Sequence, residues 1–120
     1  MSRLTVFPGH PLYGEVSLPG DKSISHRAAL LGAMAEGESR IDHFLDSGVT
    51  RVLLKALHQM GIEWHLEGET LSIHGQEWRS PEQVLNCGNS ATTLRLLAGA
   101  LAARNTPAVL DGSSGLRRRP

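Results

Sequence analysis

Displaced by 68 residues, the chain lines up with itself: Val16 falls on Val84, Gly20 on Gly88, Arg27 on Arg95, Gly37 on Asn105 and Ile41 on Val109. Each block reads as an extended apolar run, a glycine turn, an apolar helix and a second extended run. Identities are few, so the register rests on the order of elements and on the punctuation, which is how a repeated supersecondary unit shows itself. The pattern predicts an α/β chain built from a repeated unit. It also predicts that two helix N-termini, one at Ser23 and one at Asn89, are placed equivalently and face one cleft.

Taken in order, Leu4 to Phe7 and Glu15 to Leu18 are short β-type runs separated by Pro8, Gly9, Pro11 and Gly14, which predicts two strands around a turn. The helix predicted from Ile24 to Ala35 is rich in Ala and Leu almost all round, which implies burial on most sides. Gly37 suits the left-handed position after it. Ser39 to Phe44 predicts a strand, and Asp46 or Ser47 can cap a second helix. In that helix Val49, Val52, Leu53, Ala56, Leu57 and Met60 form one apolar stripe. Ile62 to Leu66 and Thr70 to His74 alternate across Glu67-Gly68-Glu69, a hairpin pattern in which Trp64 packs. A strand at Val84 to Asn86 then leads into a helix from Ser90 to Arg104, capped by Asn89 and ended by Asn105. Pro107 to Leu110 predicts a last strand and Gly112 to Pro120 a loop.

Composition narrows the partners. In 120 residues there are 12 Lys and Arg against 12 Asp and Glu, so no global field points to nucleic acid or a membrane. Charge is uneven locally: five acids against Arg79 between Glu63 and Glu82, five arginines against Asp111 after Gln83. That arginine-rich end suits an anionic small molecule. Cys87 is the only cysteine, which excludes an internal disulfide and a thiolate zinc cluster and fits a reducing, cytoplasmic setting. The histidines at 10, 26, 43, 58, 65 and 74 show no metal spacing and read as surface or packing residues. No signal segment and no apolar run of membrane length are present.

The chemistry concentrates in Pro19 to Arg27, PGDKSISHR. Gly20 permits a tight turn into the helix, whose first N–H groups are free donors. Lys22, His26 and Arg27 surround that N-terminus, where the macrodipole opposes cations by about 0.3–1 kcal/mol each unless an anion is bound. Two readings fit: a Ser23 N-cap with solvated basic side chains, or an anion site. The spacing excludes a P-loop, because Asp21 separates Gly20 from Lys22, and no G-x-G-x-x-G supports a dinucleotide site. Ser23 and His26, three apart with no orienting acid, make a poor nucleophile and base. Ser23 and Arg27, four apart, share a helix face and can grip one carboxylate or phosphate together, while Lys22 reaches a second anion. Gly88, Asn89, Ser90, Thr92 and Thr93 line the second helix start, which by itself reads as an Asn cap with a hydroxyl-rich first turn. Arg117, Arg118 and Arg119 by themselves read as a solvated charge run.

Taken together, PGDKSISHR, the turn-helix GNSATT followed by Arg95, and the loop LRRRP resemble the family of 5-enolpyruvylshikimate-3-phosphate synthases, or 3-phosphoshikimate 1-carboxyvinyltransferases. The resemblance covers essentially the whole chain and only the N-terminal portion of the family's proteins. It implies transfer of the enolpyruvyl group of phosphoenolpyruvate to the 5-hydroxyl of shikimate 3-phosphate with release of phosphate, on the shikimate route to aromatic amino acids. It implies no cofactor, and a monomer at full length. By carry-over Lys22 contacts both substrates, Ser23 and Arg27 hold shikimate 3-phosphate, Asn89, Ala91 and Thr92 border phosphoenolpyruvate, and Arg119 binds it. No general acid or base is assignable, and the chain by itself is expected to be inactive. The implied fold is an inside-out α/β barrel of repeated βαβαββ units, of which the first and part of the second are present. Residues 1–20 are then expected to belong to the second, C-terminal domain and residues 21–120 to part of the N-terminal one.

Two departures from the family pattern matter. Ala91 stands where glyphosate-sensitive members have glycine, and Leu96 where they have proline, which leads us to expect glyphosate tolerance. Gly48-Val49 replaces common acidic residues and affects only a local contact. Two alternatives stay open at this point: a non-catalytic anion-binding half-domain, and a UDP-N-acetylglucosamine enolpyruvyltransferase, which SISHR disfavours.

Overall fold

A computed structural model describes residues 1–120. Its elements are α1 (Lys22–Met34), β1 (Gly37–Ile41), α2 (Gly48–Gln59), β2 (Glu63–Glu67), β3 (Thr70–Gly75), β4 (Leu85–Asn86), α3 (Ala91–Ala103), β5 (Leu110–Asp111) and α4 (Ser114–Arg117). β1, β3 and β2 form an antiparallel sheet in that order, with Ile41 opposite Leu71 and Leu71 opposite Leu66. β4 and β5 pair in parallel, with α3 as the crossover between them.

Strand alternation puts Leu71 and Ile73 on the inner face, where α1 and α2 close over them. The α2 stripe is confirmed: Leu53, Ala56, Leu57 and Met60 are buried, Val49 and Val52 half-buried. Ser47 caps this helix in a reciprocal box with Thr50, satisfying two otherwise orphaned N–H groups. Asp46 instead pairs with Arg51, at 2.6 and 2.8 Å. The hairpin is also as predicted, and Trp64 donates its indole N–H to the Leu54 carbonyl at 2.8 Å, tying β2 to α2. Trp78 donates to the Ala33 carbonyl at 3.0 Å and closes the C-terminal end of α1.

Several boundaries differ from the sequence reading. β1 starts and ends earlier than Ser39 to Phe44, because its pairing runs from Gly37 opposite Gly75 to Ile41 opposite Leu71. The chain then turns at His43, whose φ is 56°, and drops Phe44 into the core. The last strand is Leu110–Asp111 rather than Pro107 to Leu110, set by its ladder with β4. The stretch expected as a loop after Gly112 contains α4, which Ser113 caps through the Leu116 N–H at 3.1 Å.

The two N-terminal strands are not formed. Residues through Pro19 carry no regular structure, and Leu4, Val6, Phe7, Leu12, Tyr13, Val16 and Leu18 are exposed. Two short strands alone bury too little to persist, and none of the strands β1 to β5 pairs with them. The extended segment raises the radius of gyration to 17.6 Å, where about 14 Å is usual for a compact chain of this length. α1 is also less enclosed than its composition implied. Ser25, His26, Ala29, Leu30, Gly32 and Ala33 are buried, but Ile24 and Leu31 lie 70% and 65% exposed on the opposite face. The sheet, α2 and α3 cover only part of the helix.

The repeat survives in its helices and their ends but not in its strands: Glu15 to Leu18 forms none, and β1 pairs antiparallel where β5 pairs in parallel. α1 and α3 are each 13 residues long. Gly37 and Asn105, 68 apart, both adopt left-handed backbone, with φ of 84° and 50°. The N-caps, Asp21 and Ser90, stand 69 apart, because one more residue lies between the glycine turn and the helix in the second block.

Candidate anion site at two helix starts

The first helix start is held by backbone contacts. Gly20 lies so close to the 43–45 loop that a Cβ there would stand 2.1 Å from the His43 carbonyl oxygen. Ser25 Oγ accepts the Leu45 N–H at 3.0 Å from inside α1. Asp21, not Ser23, is the N-cap: its carboxylate accepts the Ile24 N–H at 2.8 Å. An aspartate here satisfies one orphan donor and complements the dipole, so the cations beside it are less opposed than charge counting suggested.

Ser23 is thereby moved inside the helix, freeing its hydroxyl from capping. Lys22, Ser23 and Arg27 are all exposed at this end of α1. Arg27 donates to the Ser23 carbonyl at 3.0 Å, which lays its guanidinium back along the first turn of the helix.

At the second start, Gly88 turns with φ 57° and Ser90, not Asn89, caps α3 by accepting the Thr93 N–H at 3.1 Å. Asn89 has another task. Its side-chain oxygen accepts from Ser113 Oγ at 3.0 Å, and Gly88 O accepts the Ser113 N–H at 2.7 Å. These bonds fold the arginine loop against the α3 start. The outcome is a cavity of about 270 Å³ in which Ala91, Arg95, Arg117 and Arg119 share the lining. Ala91 and Arg119 thus share one cavity, while Asn89 and Thr92 do not line it: Asn89 holds Ser113, and Thr92 is half-buried in the first turn of α3.

The arginines differ in what they have left to offer. Arg117 grips the Asp111 carboxylate through Nε at 2.7 Å and through Nη2. That grip, with the Gly112 N–H at 2.7 Å, holds the Asp111 carboxyl down at about 2. Lys22, Arg27 and Arg119 are in no ion pair. Since the folded-state value for Asp111 is depressed, its stabilisation is present above about pH 4 and is lost as pH falls towards 2. A carboxyl carbon titration followed by NMR is expected to give a midpoint near 2 for Asp111, moving back towards 3.8 in Arg117→Leu. Equal midpoints in the two proteins would contradict the grip.

Sequence reasoning missed the connection between the two starts. His26 is fully buried; its Nδ1 bonds to the Lys22 carbonyl at 2.9 Å and its Nε2 to Thr93 Oγ1 at 2.9 Å, across 67 residues. The available signal was that His26 falls on the same α1 face as Ala29, Leu30 and Ala33. No feature of the sequence named its partner. Cys87 is buried as well; burial, and then the charge of Asp111, push its thiol up, so it is no ready nucleophile. No cluster of three or more His, Cys, Asp or Glu could hold a metal ion. No helix is long and apolar enough to cross a membrane.

Comparison with known proteins gives the family of the chain. Residues 6–120 match the family model described as EPSP synthase (3-phosphoshikimate 1-carboxyvinyltransferase). Proteins named 3-phosphoshikimate 1-carboxyvinyltransferase are similar along the whole chain: 43% identical in Pelobacter propionicus and 45% in Geobacter metallireducens. The chain spans only 28% and 29% of the length of those two relatives. The solved EPSP synthase of Acinetobacter baumannii superposes with a TM-score of 0.80 at 35% identity, over 89% of this chain and 25% of that one. The α/β architecture is thus that of part of an enolpyruvyltransferase. With the paired helix starts, the arginine loop and a match over nearly every residue, this chain belongs to the EPSP synthase (3-phosphoshikimate 1-carboxyvinyltransferase) family.

Proposed function

We propose that this chain, within the full length its relatives have, transfers the enolpyruvyl group of phosphoenolpyruvate to shikimate 3-phosphate. In that reaction a bond forms between the 5-oxygen of shikimate 3-phosphate and C2 of phosphoenolpyruvate, the C2–O bond to phosphate breaks, and the hydroxyl proton leaves with inorganic phosphate in the overall balance. The observation that carries the reading is the cavity where Ala91 and Arg119 meet, lined by a guanidinium that has no carboxylate partner. A free cation in a concave site is held at lower energy when an anion docks.

In this reading Arg119 takes the carboxylate or phosphate of phosphoenolpyruvate, and Asn89, Ala91 and Thr92 border it. Ser23 and Arg27 hold shikimate 3-phosphate, and Lys22 stands between the two substrates. Residues 1–20, whose Leu4, Val6, Phe7, Leu12, Tyr13, Val16 and Leu18 are exposed, pair with the second domain. No residue of the site is a carboxylic acid placed to move a proton, so the 120-residue chain alone is expected to bind anions without turnover. A phosphate-release assay on the full-length protein is expected to show release only when both substrates are present. Its absence with both present overturns the reading.

Ala91 begins α3 and is half-buried at this cavity, so its methyl group takes up space beside the phosphoenolpyruvate wall. A longer inhibitor loses more by that than the compact substrate does. Ala91→Gly is expected to tighten inhibition by glyphosate about tenfold or more while leaving the KM for phosphoenolpyruvate within a few-fold. Equal inhibition constants would contradict glyphosate tolerance.

A further inference from the structure

The buried imidazole of His26 has no part in the chemistry above. It reaches no solvent, and both its nitrogens are bonded inside the protein. Its bonds nevertheless end on the two pieces of backbone that carry the proposed substrates. One is the carbonyl of Lys22, the first residue of α1. The other is the hydroxyl of Thr93, two residues beyond Ala91 in the first turn of α3.

The hydrogen order in this network is determined by what each atom can do. A carbonyl only accepts, so Nδ1 carries the hydrogen that goes to Lys22. Ser90 Oγ donates to Thr93 Oγ1 at 2.8 Å while accepting the Thr93 N–H. The hydrogen of Thr93 is then directed to Nε2, which accepts it. Every donor and acceptor in the chain from Ser90 to Lys22 is used, and no buried side-chain polar atom in the protein lacks a partner. A network satisfied in this way permits one spacing of the two helix starts and penalises others.

We propose that His26 is a positioning residue that fixes the α1 start against the α3 start and so couples phosphoenolpyruvate binding to shikimate 3-phosphate binding. The inference rests on the substrate assignment proposed above. When shikimate 3-phosphate settles on Ser23 and Arg27, the α1 start is held, and through the imidazole the Ala91–Thr93 turn is held with it. The second substrate then meets a wall already in place.

The test uses the full-length protein, with calorimetry for shikimate 3-phosphate alone and steady-state kinetics for phosphoenolpyruvate at saturating shikimate 3-phosphate. His26→Leu, which keeps bulk and removes both nitrogens, is expected to raise the KM for phosphoenolpyruvate about tenfold, within the usual range of coupling between sites. The Kd for shikimate 3-phosphate is expected to change less than about threefold, because its ligands are untouched. Thr93→Val breaks the same bond from the other side and should give the same split. The double variant should lose less than the two singles combined, since the His26–Thr93 bond they share is lost only once. His26→Gln, whose amide extends towards the Nε2 position, should recover most of the KM. Where His26→Leu does not fold, Thr93→Val against Thr93→Ser, which keeps the hydroxyl, makes the same comparison. Equal losses for both substrates, additive singles, or no change in KM would each overturn the coupling, since a purely structural role moves Tm without splitting the two affinities. A wild-type protein without turnover defeats the substrate assignment and the coupling with it. An active wild type with unsplit variants defeats the coupling alone.

Discussion

Arg27→Ala is expected to weaken shikimate 3-phosphate binding on the order of 10- to 100-fold, the effect of removing one charge-assisted contact to an anion. The guanidinium uses Nη1 on the Ser23 carbonyl, belongs to no ion pair, and lies on an exposed helix end. Its remaining N–H groups are therefore available to a ligand. Because Arg27 holds no other part of the chain, the substitution should leave Tm within about 1 °C, as exposed changes away from special features usually do. Lys22→Ala is expected to reduce affinity for both substrates by about tenfold each, since the proposed assignment sets Lys22 between them. Calorimetry on the full-length protein separates the cases. Arg27→Ala acts on shikimate 3-phosphate first, Lys22→Ala on both. If neither variant changes either affinity, the α1 start is not the binding site.

The largest effect on stability is expected at Gly75. A Cβ built there would stand 1.8 Å from the carbonyl oxygen of Ala35 and 2.5 Å from that of Gly32, both backbone atoms. Neither can rotate away as a side chain could. The end of β3 and the last turn of α1 would have to separate, and Ile73, Leu30 and Ala33 lose packing when they do. Gly75→Ala should therefore destabilise by about 3–5 kcal/mol, the upper range for overpacking. Gly99→Ala is the control. It lies exposed within α3 with nothing within 4 Å of the added methyl, and it should stabilise by about 0.5–1 kcal/mol through helix propensity. Denaturant unfolding of the two variants measures both. A Gly75→Ala protein as stable as the parent would contradict the close approach of β3 to α1.

The sequence disclosed what is decided locally. The α2 stripe, the hairpin across Gly68 and the helix ends at Gly37 and Asn105 follow from side-chain period and from residues that tolerate left-handed backbone. What it did not disclose depends on partners distant in the chain. Asp21 wins the first cap over Ser23, because Gly20 is pressed against the His43 carbonyl and the helix begins two residues earlier. Asn89 loses the second cap to Ser90, because its side chain is taken by Ser113, 24 residues on. The bond between His26 and Thr93 spans 67 residues and has no periodic trace. The strands read at Leu4 and Glu15 have the right composition, and they fail to form because no strand of either sheet pairs with them. For the site, each motif viewed singly had an ordinary structural explanation. The arginine loop lies at the α3 start because Asn89 and Gly88 hold it there, a contact with no trace in the local pattern.

Whether the α1 and α3 starts bind two anionic substrates side by side, as proposed, is decided by a crystal structure of the full-length protein with both substrates bound in a turnover-blocked form. The shikimate 3-phosphate phosphate group is expected within about 3 Å of Ser23 Oγ and the Arg27 guanidinium, with an acidic group of phosphoenolpyruvate at Arg119 and Lys22 reaching both. Substrates bound with Lys22, Arg27 and Arg119 all more than about 5 Å away would contradict this arrangement.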